Sequence, residues 1–322
     1  MKEKKIAIIG CGAVTRLNYL PHFSRVPNTK ISYVHDVNVQ SAEYAANILS
    51  AKVASSDEIR DEADAVIIAT PPVSHYQLAE YYLQHVPIVV CEKPFVGTAE
   101  EAKSLIRIAK EKKAKLYVAH FRRMFPTVQL ARSIVSSGII GEIRSLEIFE
   151  GGRFSWQADS NYIMKDPFGG VLFDTGSHSI DMAMFAAGMD SSVFSMKVDK
   201  IMRERPEPSH SIRGEFSFST DNTTGRCFVS FSRYQVLPNL LRIIGSNGSV
   251  ELSTGLDDRL ILKGKKGSVV IGTEEKISNL LDCFFLQFQH IFNEGNDEIF
   301  LASRFVNLTT VLEHLSQKSA GI

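Results

Sequence analysis

Short apolar runs alternate with helix-forming segments through the first 120 residues of the chain. The runs occupy residues 6–9, 31–35, 65–69, 88–91 and 116–119. Runs of this length, separated by helical patterns, are typical of βα units that build a parallel sheet. The pattern therefore predicts a doubly wound α/β fold, in which ligands bind at the carboxyl ends of the strands.

The rest of the chain has a different pattern. Residues 143–149 are predicted to form a strand, and beyond about residue 190 strands and turns alternate. Turn-forming sequences stand at 221–225 and at Asn247-Gly248, each between two strand-like runs. Helical patterns return at 277–294 and 302–315. This half of the chain is therefore expected to contain several consecutive strands followed by helices.

A glycine-rich turn follows the first apolar run. The sequence Gly10-Cys11-Gly12-Ala13-Val14-Thr15 leads into a helical pattern that stops near Pro27. Gly10 permits a tight turn, and Gly12 lets the backbone approach a pyrophosphate at the start of a helix. Thr15 stands where such motifs have Gly or Ala. A dinucleotide site is predicted here, with a plain βα turn as the alternative.

Charged and polar residues stand at the ends of three further apolar runs. Asp36 ends the second run, where a carboxylate can accept hydrogen bonds from ribose hydroxyls and would repel a 2′-phosphate. This favours NAD over NADP, unless Asp36 simply starts the helix near Ser41. Thr70 and Lys93 follow later runs. Lys93 could polarise a substrate oxygen, or it could be an ordinary solvated lysine.

Two helix starts are predicted between these strand ends. Ser74 is expected to cap a helix that runs to about Gln84. Thr98 and Glu101 form a capping box before another helix.

Asp174, His178 and Asp181 recur at i, i+4 and i+7 in an otherwise apolar segment. On a helix these positions share one face. Three interpretations remain open at this point: metal ligands, a helix cap with a core histidine, or proton handling beside a nicotinamide. The last gives His178 the role of base, since the pKa of histidine, roughly 6.5, is near neutral pH.

Composition narrows the class of protein. The 36 basic residues balance the 36 acidic ones, so no electrostatic footprint for nucleic acid or an anionic membrane is expected. The apolar run before Gly10 is too short for a signal peptide or a membrane span. The four cysteines are scattered, as expected for reduced thiols of a cytoplasmic protein. No metal site is predicted.

Four motifs together resemble the Gfo/Idh/MocA family, which is named after glucose–fructose oxidoreductase and inositol dehydrogenase. They are residues 10–14, Ala69-Thr70-Pro71-Pro72 with His75, Glu92-Lys93-Pro94, and residues 174–181. The resemblance implies an NAD-binding Rossmann domain over 1–120. It also implies a second, α+β domain over 121–322, built on a large, mostly antiparallel sheet with one open face. That face would pair copies into a homodimer or homotetramer.

The resemblance also implies the site residues and the reaction. The cofactor would contact Gly10, Gly12, Ala13, Val14, Asp36, Ala69, Thr70, Pro71, His75, Glu92 and Lys93. Lys93, Asp174 and His178 would be catalytic and would bind the substrate. Arg153 and Trp156, between the strand at 143–149 and the segment with Asp174, are further candidates by position. Trp156 could stack on a sugar face and Arg153 could bind a phosphate or carboxylate, or both could be packing or surface residues.

The expected reaction is hydride transfer between NAD and a hydroxyl of a sugar, inositol or sugar derivative. The alternatives are glycoside cleavage through transient oxidation and non-catalytic sensing of the dinucleotide. Asp181 is expected to orient the helix or a neighbour. The sequence at His120–Arg123 lacks the family's usual asparagine, which leaves Arg122 and Arg123 without a role.

Overall fold

The structure is a computed structural model of the 322-residue chain. It describes residues 3–153, 166–203, 210–275, 277, 279–293 and 297–317. The chain divides into two compact units. The first comprises residues 1–121, 156–168 and 281–305, and the second comprises 122–155, 169–280 and 306–322.

The first unit contains a six-stranded parallel sheet, and five of its strands coincide with the apolar runs. Its strands are β1 (Lys4–Ile9), β2 (Thr29–His35), β3 (Lys52–Val53), β4 (Ala65–Ile68), β5 (Ile88–Glu92) and β6 (Lys115–Ala119). They lie in the order β3-β2-β1-β4-β5-β6. The intervening helices are α1 (Val39–Leu49), α2 (Ser56–Glu62), α3 (His75–Leu83) and α4 (Ala99–Lys112). The residues of β4 are fully buried, which explains why the run contains no polar residue.

Three local features of this unit were missed by the sequence analysis or differ from its predictions. β3 and α2 are short and polar, so their sequences carry little periodic signal. The segment after the glycine turn is a π-helical turn, Thr15–Tyr19, followed by a 3₁₀ turn, Phe23–Arg25, instead of one helix reaching Pro27. Ser74 does not cap α3 with its side chain, because its hydroxyl donates to the carbonyl of Pro71. The capping box at Thr98 and Glu101 is present as predicted.

Residues 281–305 belong to the first unit. They contain most of a helix, numbered α7 below (Leu280–Phe292), and the 3₁₀ turns Asp297–Phe300 and Ala302–Phe305. Phe288 packs edge-to-face on Tyr19 with ring centroids 5.0 Å apart, and it also contacts Phe23. The sequence places this helix correctly but gives no indication that it packs with the N-terminal unit.

The second unit contains an eight-stranded, mostly antiparallel sheet. Its strands are β7 (Ile143–Gly151), β8 (Phe194–Arg203), β9 (Ser211–Thr220), β10 (Thr224–Ser232), β11 (Leu240–Gly245), β12 (Gly248–Ser253), β13 (Arg259–Gly264) and β14 (Gly267–Gly272). The order is β14-β13-β12-β11-β7-β10-β9-β8, and β7 and β10 pair in parallel. The predicted turns at 221–225 and 247–248 join β9 to β10 and β11 to β12.

Helices pack against this sheet. They are α5 (Pro126–Ser136), α6 (Ser177–Ala186) and α8 (Val306–Gln317), and their contacts include β7, β8, β11 and β12. On β7, Leu146 and Ile148 are buried, whereas Glu147 and Phe149 are half-buried. The alternation places a charged and aromatic face opposite the buried one.

Candidate functional site

Four predicted site residues follow adjacent strands of the parallel sheet. Gly10 follows β1, Asp36 follows β2, Thr70 follows β4 and Lys93 follows β5. Since β2, β1, β4 and β5 are neighbours in that order and run parallel, the four positions lie along one edge. Backbone hydrogen bonds continue across this edge, from the Gly10 N–H to the carbonyl of His35 (2.8 Å) and from the Ala69 N–H to Ile9 (2.7 Å).

The first residue of the turn must be glycine. Gly10 has φ +97°, and a Cβ there would lie 2.6 Å from the carbonyl oxygen of Ala69. Thr15, the departure from the usual motif, is fully buried, and its hydroxyl donates to the Gly10 carbonyl at 2.7 Å. The hydroxyl is therefore satisfied inside the turn, so threonine is compatible with this position.

The carboxylate of Asp36 is bonded to the same turn. One oxygen accepts the Cys11 N–H at 2.6 Å, and the other accepts the Asn38 N–H at 2.8 Å. An ionised carboxylate offers about four acceptor positions, so it can still accept ribose hydroxyls. A Cβ on Gly12 would meet no atom within 4 Å, which leaves open space over the turn. These residues fit the adenosine ribose and pyrophosphate of NAD.

His75 is expected from the sequence to contact the cofactor, but its side chain lies in the interior of the first unit. The side chain is fully buried. Its Nε2 lies 2.9 Å from the carbonyl oxygen of Thr70, and its Nδ1 lies 2.9 Å from that of Pro94. Burial lowers the pKa of His75 from its ordinary value. The imidazole thus ties the segment after β4 to the segment after β5, and it does not present a ring to a ligand.

Glu92 is also buried, which the sequence does not reveal. One carboxylate oxygen accepts the hydroxyl of Tyr19, and the other accepts the Lys93 N–H at 3.0 Å. Burial raises the pKa of Glu92, although the Tyr19 hydrogen bond and the charge of Lys93 oppose the shift. Lys93 is half-buried, as are Ala13, Val14, Ala69 and Thr70, whereas Pro71 is exposed.

In the second unit, Asp174 lies in a π-helical turn, Leu172–Gly176, directly before α6. It is not the helix cap considered from the sequence. Its Oδ2 accepts a hydrogen bond from Arg233 Nη2 at 2.8 Å, and the same Nη2 lies 3.1 Å from the carbonyl oxygen of Gly170. The Arg233 side chain is 2% exposed, compared with 25% for Asp174. Arg233 follows β10, so the strand-end signal that singles out Asp36 and Lys93 could have identified it.

Asp181 has different partners. It is fully buried, and both of its oxygens face Arg123, with distances of 2.9 Å from Nε to Oδ2 and 2.6 Å from Nη2 to Oδ1. Arg123 also lies 3.4 Å from Asp190, which in turn pairs with Arg132 at 3.2 Å. Arg123 and Asp181 therefore belong to a buried network of ion pairs, which anchors α6 inside this unit.

Arg122 forms a second bidentate pair, with Glu150 on β7. Its two Nη atoms lie 2.8 and 2.9 Å from the two carboxylate oxygens. The Ser179 hydroxyl on α6 donates to the same carboxylate. This pair connects β7 with α6, one residue beyond His178.

The remaining predicted site residues are His178, Arg153 and Trp156. His178 is the second residue of α6 and is 7% exposed. Arg153 is exposed, two residues beyond β7. Trp156 lies outside the described residues.

Within the described part of the chain, no group of three or more metal-binding side chains is found. No helix in that part is long and apolar enough to cross a membrane.

Comparisons with known proteins agree with this geometry. Residues 4–120 match the model of the Gfo/Idh/MocA oxidoreductase family with an NAD-binding Rossmann fold, and residues 128–251 match that family's C-terminal domain. An uncharacterized oxidoreductase of Schizosaccharomyces pombe is 28% identical over 275 residues, 83% of this chain and 70% of the relative. Inositol 2-dehydrogenase of Rhizobium meliloti is 24% identical over 280 residues, 85% of this chain and 77% of the relative.

Solved structures share the fold over nearly the whole chain. An inositol dehydrogenase homologue from Azotobacter vinelandii, complexed with NADH and myo-inositol, has a TM-score of 0.79 at 17% identity, covering 99% of this chain and 96% of its own. An oxidoreductase from Agrobacterium radiobacter, in complex with NAD+, L-tartaric acid and magnesium, has a TM-score of 0.79 at 20% identity, covering 99% and 97%.

Proposed function

Because the chain belongs to the Gfo/Idh/MocA family of oxidoreductases, with an NAD-binding Rossmann domain, we propose that it is a sugar or polyol dehydrogenase. It transfers a hydride between NAD and a secondary hydroxyl or ketone of a sugar, an inositol or a sugar derivative. The observation that carries the proposal is the row of strand ends that brings Asp36, the glycine turn and Lys93 to one edge of the sheet. Relatives named inositol 2-dehydrogenase and levoglucosan dehydrogenase support this substrate class.

The preferred dinucleotide is NAD. The Asp36 carboxylate is held at the glycine turn by the Cys11 N–H and would repel a 2′-phosphate. In this assignment the cofactor contacts are Gly10, Gly12, Ala13, Val14, Asp36, Ala69, Thr70 and Pro71. His75 and Glu92 do not contact the cofactor in this assignment. They hold the backbone around Lys93, because His75 bonds the Pro94 carbonyl and Glu92 accepts the Lys93 N–H.

Oxidation of a secondary alcohol requires removal of the hydroxyl proton and stabilisation of the oxygen. NAD, when bound, accepts the hydride. The Lys93 ammonium donates a hydrogen bond to the substrate oxygen and stabilises its developing charge. An imidazole nitrogen of His178 accepts the hydroxyl proton, since histidine changes protonation near neutral pH.

Asp174 serves as a hydrogen-bond acceptor in this scheme. The buried guanidinium of Arg233, 2.8 Å away, favours the ionised carboxylate. An anion held in this way accepts hydrogen bonds from substrate hydroxyls or from the imidazole, and it does not supply protons. This divides the work, because His178 moves the proton and Asp174 orients the groups around it.

The test is to incubate the purified protein with NAD+ and a panel of inositols, aldoses and nucleotide sugars, and to follow reduced nicotinamide by absorbance. Lys93→Ala and His178→Ala are expected to lower kcat by about 10²–10⁴-fold. Lys103→Ala, which changes an exposed lysine of α4, is the control. Near-normal turnover in both variants would refute the assignment. Sugar release from a glycoside without NADH would favour transient oxidation, and tight NAD binding without turnover would favour a sensor.

We also propose that the chain forms a homodimer or homotetramer through the face of the eight-stranded sheet that lies opposite its buried face. This face carries half-buried Phe149 and Phe228 beside the ion pair of Glu147 with Arg242. A groove of about 540 Å³ near these two rings lies on the same sheet. Light scattering of the wild type and of Phe228→Lys tests this, because a charge on the face should release monomers. An unchanged mass for Phe228→Lys, or a monomeric wild type, would contradict the proposal.

A further inference from the structure

Tyr19 is a buried tyrosine directly beyond the glycine turn. It ends the π-helical turn Thr15–Tyr19 and is 1% exposed. Its hydroxyl donates to one carboxylate oxygen of Glu92, the last residue of β5. Hydrogen bonds from a hydroxyl to an ionised carboxylate are among the stronger ones in proteins.

The second oxygen of Glu92 continues the connection. It accepts the N–H of Lys93 at 3.0 Å. The carboxylate therefore bridges the Tyr19 hydroxyl and the backbone from which the Lys93 side chain extends. The positive charge of Lys93 favours the ionised form of Glu92, while burial opposes it.

The Tyr19 ring is itself held firmly. Phe284 and Phe288 of α7 approach it edge-to-face, with ring centroids 6.1 and 5.0 Å away. Its turn is fixed to the start of the glycine motif, because the Leu20 N–H bonds the Thr15 carbonyl and the Thr15 hydroxyl bonds the Gly10 carbonyl. The phenol oxygen consequently has little freedom to move away from Glu92.

A buried carboxylate is costly, and an apolar side chain would fill the same space with less penalty. The pair is explained if it serves the neighbouring lysine. We propose that Tyr19 and Glu92 are positioning residues for Lys93, in which the phenol fixes the carboxylate and the carboxylate fixes the Lys93 backbone. This inference rests on the proposed function, since it assumes that Lys93 acts on the substrate.

The first experiment uses Tyr19→Phe, which keeps the ring and removes the hydroxyl. With the best substrate of the panel, kcat is expected to fall about tenfold, the scale of one charged hydrogen bond. The Kd for NAD, measured by calorimetry, should stay within about twofold, because the Tyr19 side chain is only 1% exposed. Tyr82→Phe, in another buried tyrosine of the same unit, is the matched control and should leave kcat unchanged.

Glu92→Gln tests whether the two residues act as one device. Its effect on kcat should equal or exceed that of Tyr19→Phe, and the double variant should be no worse than Glu92→Gln alone. Additive losses would overturn the proposal. A Tyr19→Phe enzyme that keeps the kcat of the wild type would also overturn it, even if its KM or its Kd for NAD changed.

A readout without turnover separates this inference from the proposed function. The rate at which the Lys93 amine is labelled by reductive methylation, followed by mass spectrometry, reports its surroundings. Tyr19→Phe and Glu92→Gln should change this rate at Lys93 and leave Lys103 unaffected. If Lys93→Ala keeps normal turnover, the role of Lys93 in the proposed function fails, and the labelling result alone then supports or overturns the positioning. Equal labelling of Lys93 in wild type and both variants overturns it.

Discussion

At the scale of single residues, burial decides which titratable groups can meet a ligand. Asp174 is a quarter exposed and Asp181 is fully buried, although they stand seven positions apart on one helical segment. His75 is likewise buried against backbone carbonyls. Groups of one chemical type therefore have distinct roles, because water and ligands reach some of them and not others.

Replacing His75 should change how stability depends on pH. Burial lowers the pKa of His75, so its contribution is complete above the unfolded pKa of about 6.5 and is lost as pH falls through the folded pKa. His75→Gln should be less stable at neutral pH and lose less on acidification, measured by urea unfolding between about pH 7.5 and 5.5. The control His85→Gln, at an exposed histidine, should keep the wild-type slope. Parallel profiles for His75→Gln and wild type would contradict this.

Replacing Asp36 should change the choice of dinucleotide. Asp36→Asn keeps an acceptor for the Cys11 N–H and removes the negative charge. The ratio of Kd values for NADP and NAD should fall by about tenfold or more, since like charges in contact are strongly unfavourable. Asp61→Asn, at an exposed position of α2, is the control. If Asp36→Asn and Asp61→Asn had the same ratio of Kd values for NADP and NAD, Asp36 would not determine the choice of dinucleotide.

At the scale of elements, α6 is held from several sides. The π-helical turn before it carries Asp174 to Arg233, and the helix itself carries Asp181 to Arg123. Ser179 joins the carboxylate of Glu150 on β7. These bonds fix the rotation of the helix, and with it the direction of His178. The helix is buried along its length, so packing alone would specify this rotation less sharply.

Breaking the inner pair should destabilise the protein without touching a ligand. Asp181→Asn leaves Arg123 buried with reduced compensation, and the free energy of unfolding should fall by about 3–5 kcal/mol. Denaturant unfolding followed by circular dichroism measures this loss. Arg226→Gln, which breaks the exposed pair with Glu215, should change stability by less than about 1 kcal/mol. Equal losses in the two variants would mean that α6 is not anchored by its ion pairs.

At the scale of the whole molecule, the chain returns to its first unit near its end. Residues 281–305 belong to the unit that begins at residue 1, and Phe288 covers Tyr19 and Phe23 there. Arg25 pairs with Asp282 at 2.7 Å in the same region. The dinucleotide unit therefore depends on a segment that is distant in sequence.

Removing this cover should weaken the first unit. Phe288→Ala deletes a buried aromatic ring and should lower the free energy of unfolding by about 3–5 kcal/mol. Leu280→Ala, at an exposed position of α7, should have little effect. Thermal unfolding of the two variants and the wild type, with and without NAD, measures the loss. A Phe288→Ala protein as stable as Leu280→Ala would show that the returning helix does not support this unit.

Local patterns are sufficient for five of the six parallel strands, the glycine turn and the capping box at Thr98. Each depends on residues adjacent in the chain, such as a buried apolar run or a Gly at positive φ. The same logic predicts Asp36 and Lys93, because each directly follows a strand. It fails for the short polar strand β3 and for the π-helical turns, since these have no periodicity of their own.

The sequence by itself determined the fold class, the row of strand ends and the candidate residues Lys93, Asp174 and His178. Only the tertiary structure decided which side chains support them. Arg233 meets Asp174, Arg123 meets Asp181, and Tyr19 meets Glu92 across separations of 58 to 73 residues. The physical reason is that burial and hydrogen-bond partners are properties of packed elements, and no local pattern specifies which distant side chain satisfies a buried charge.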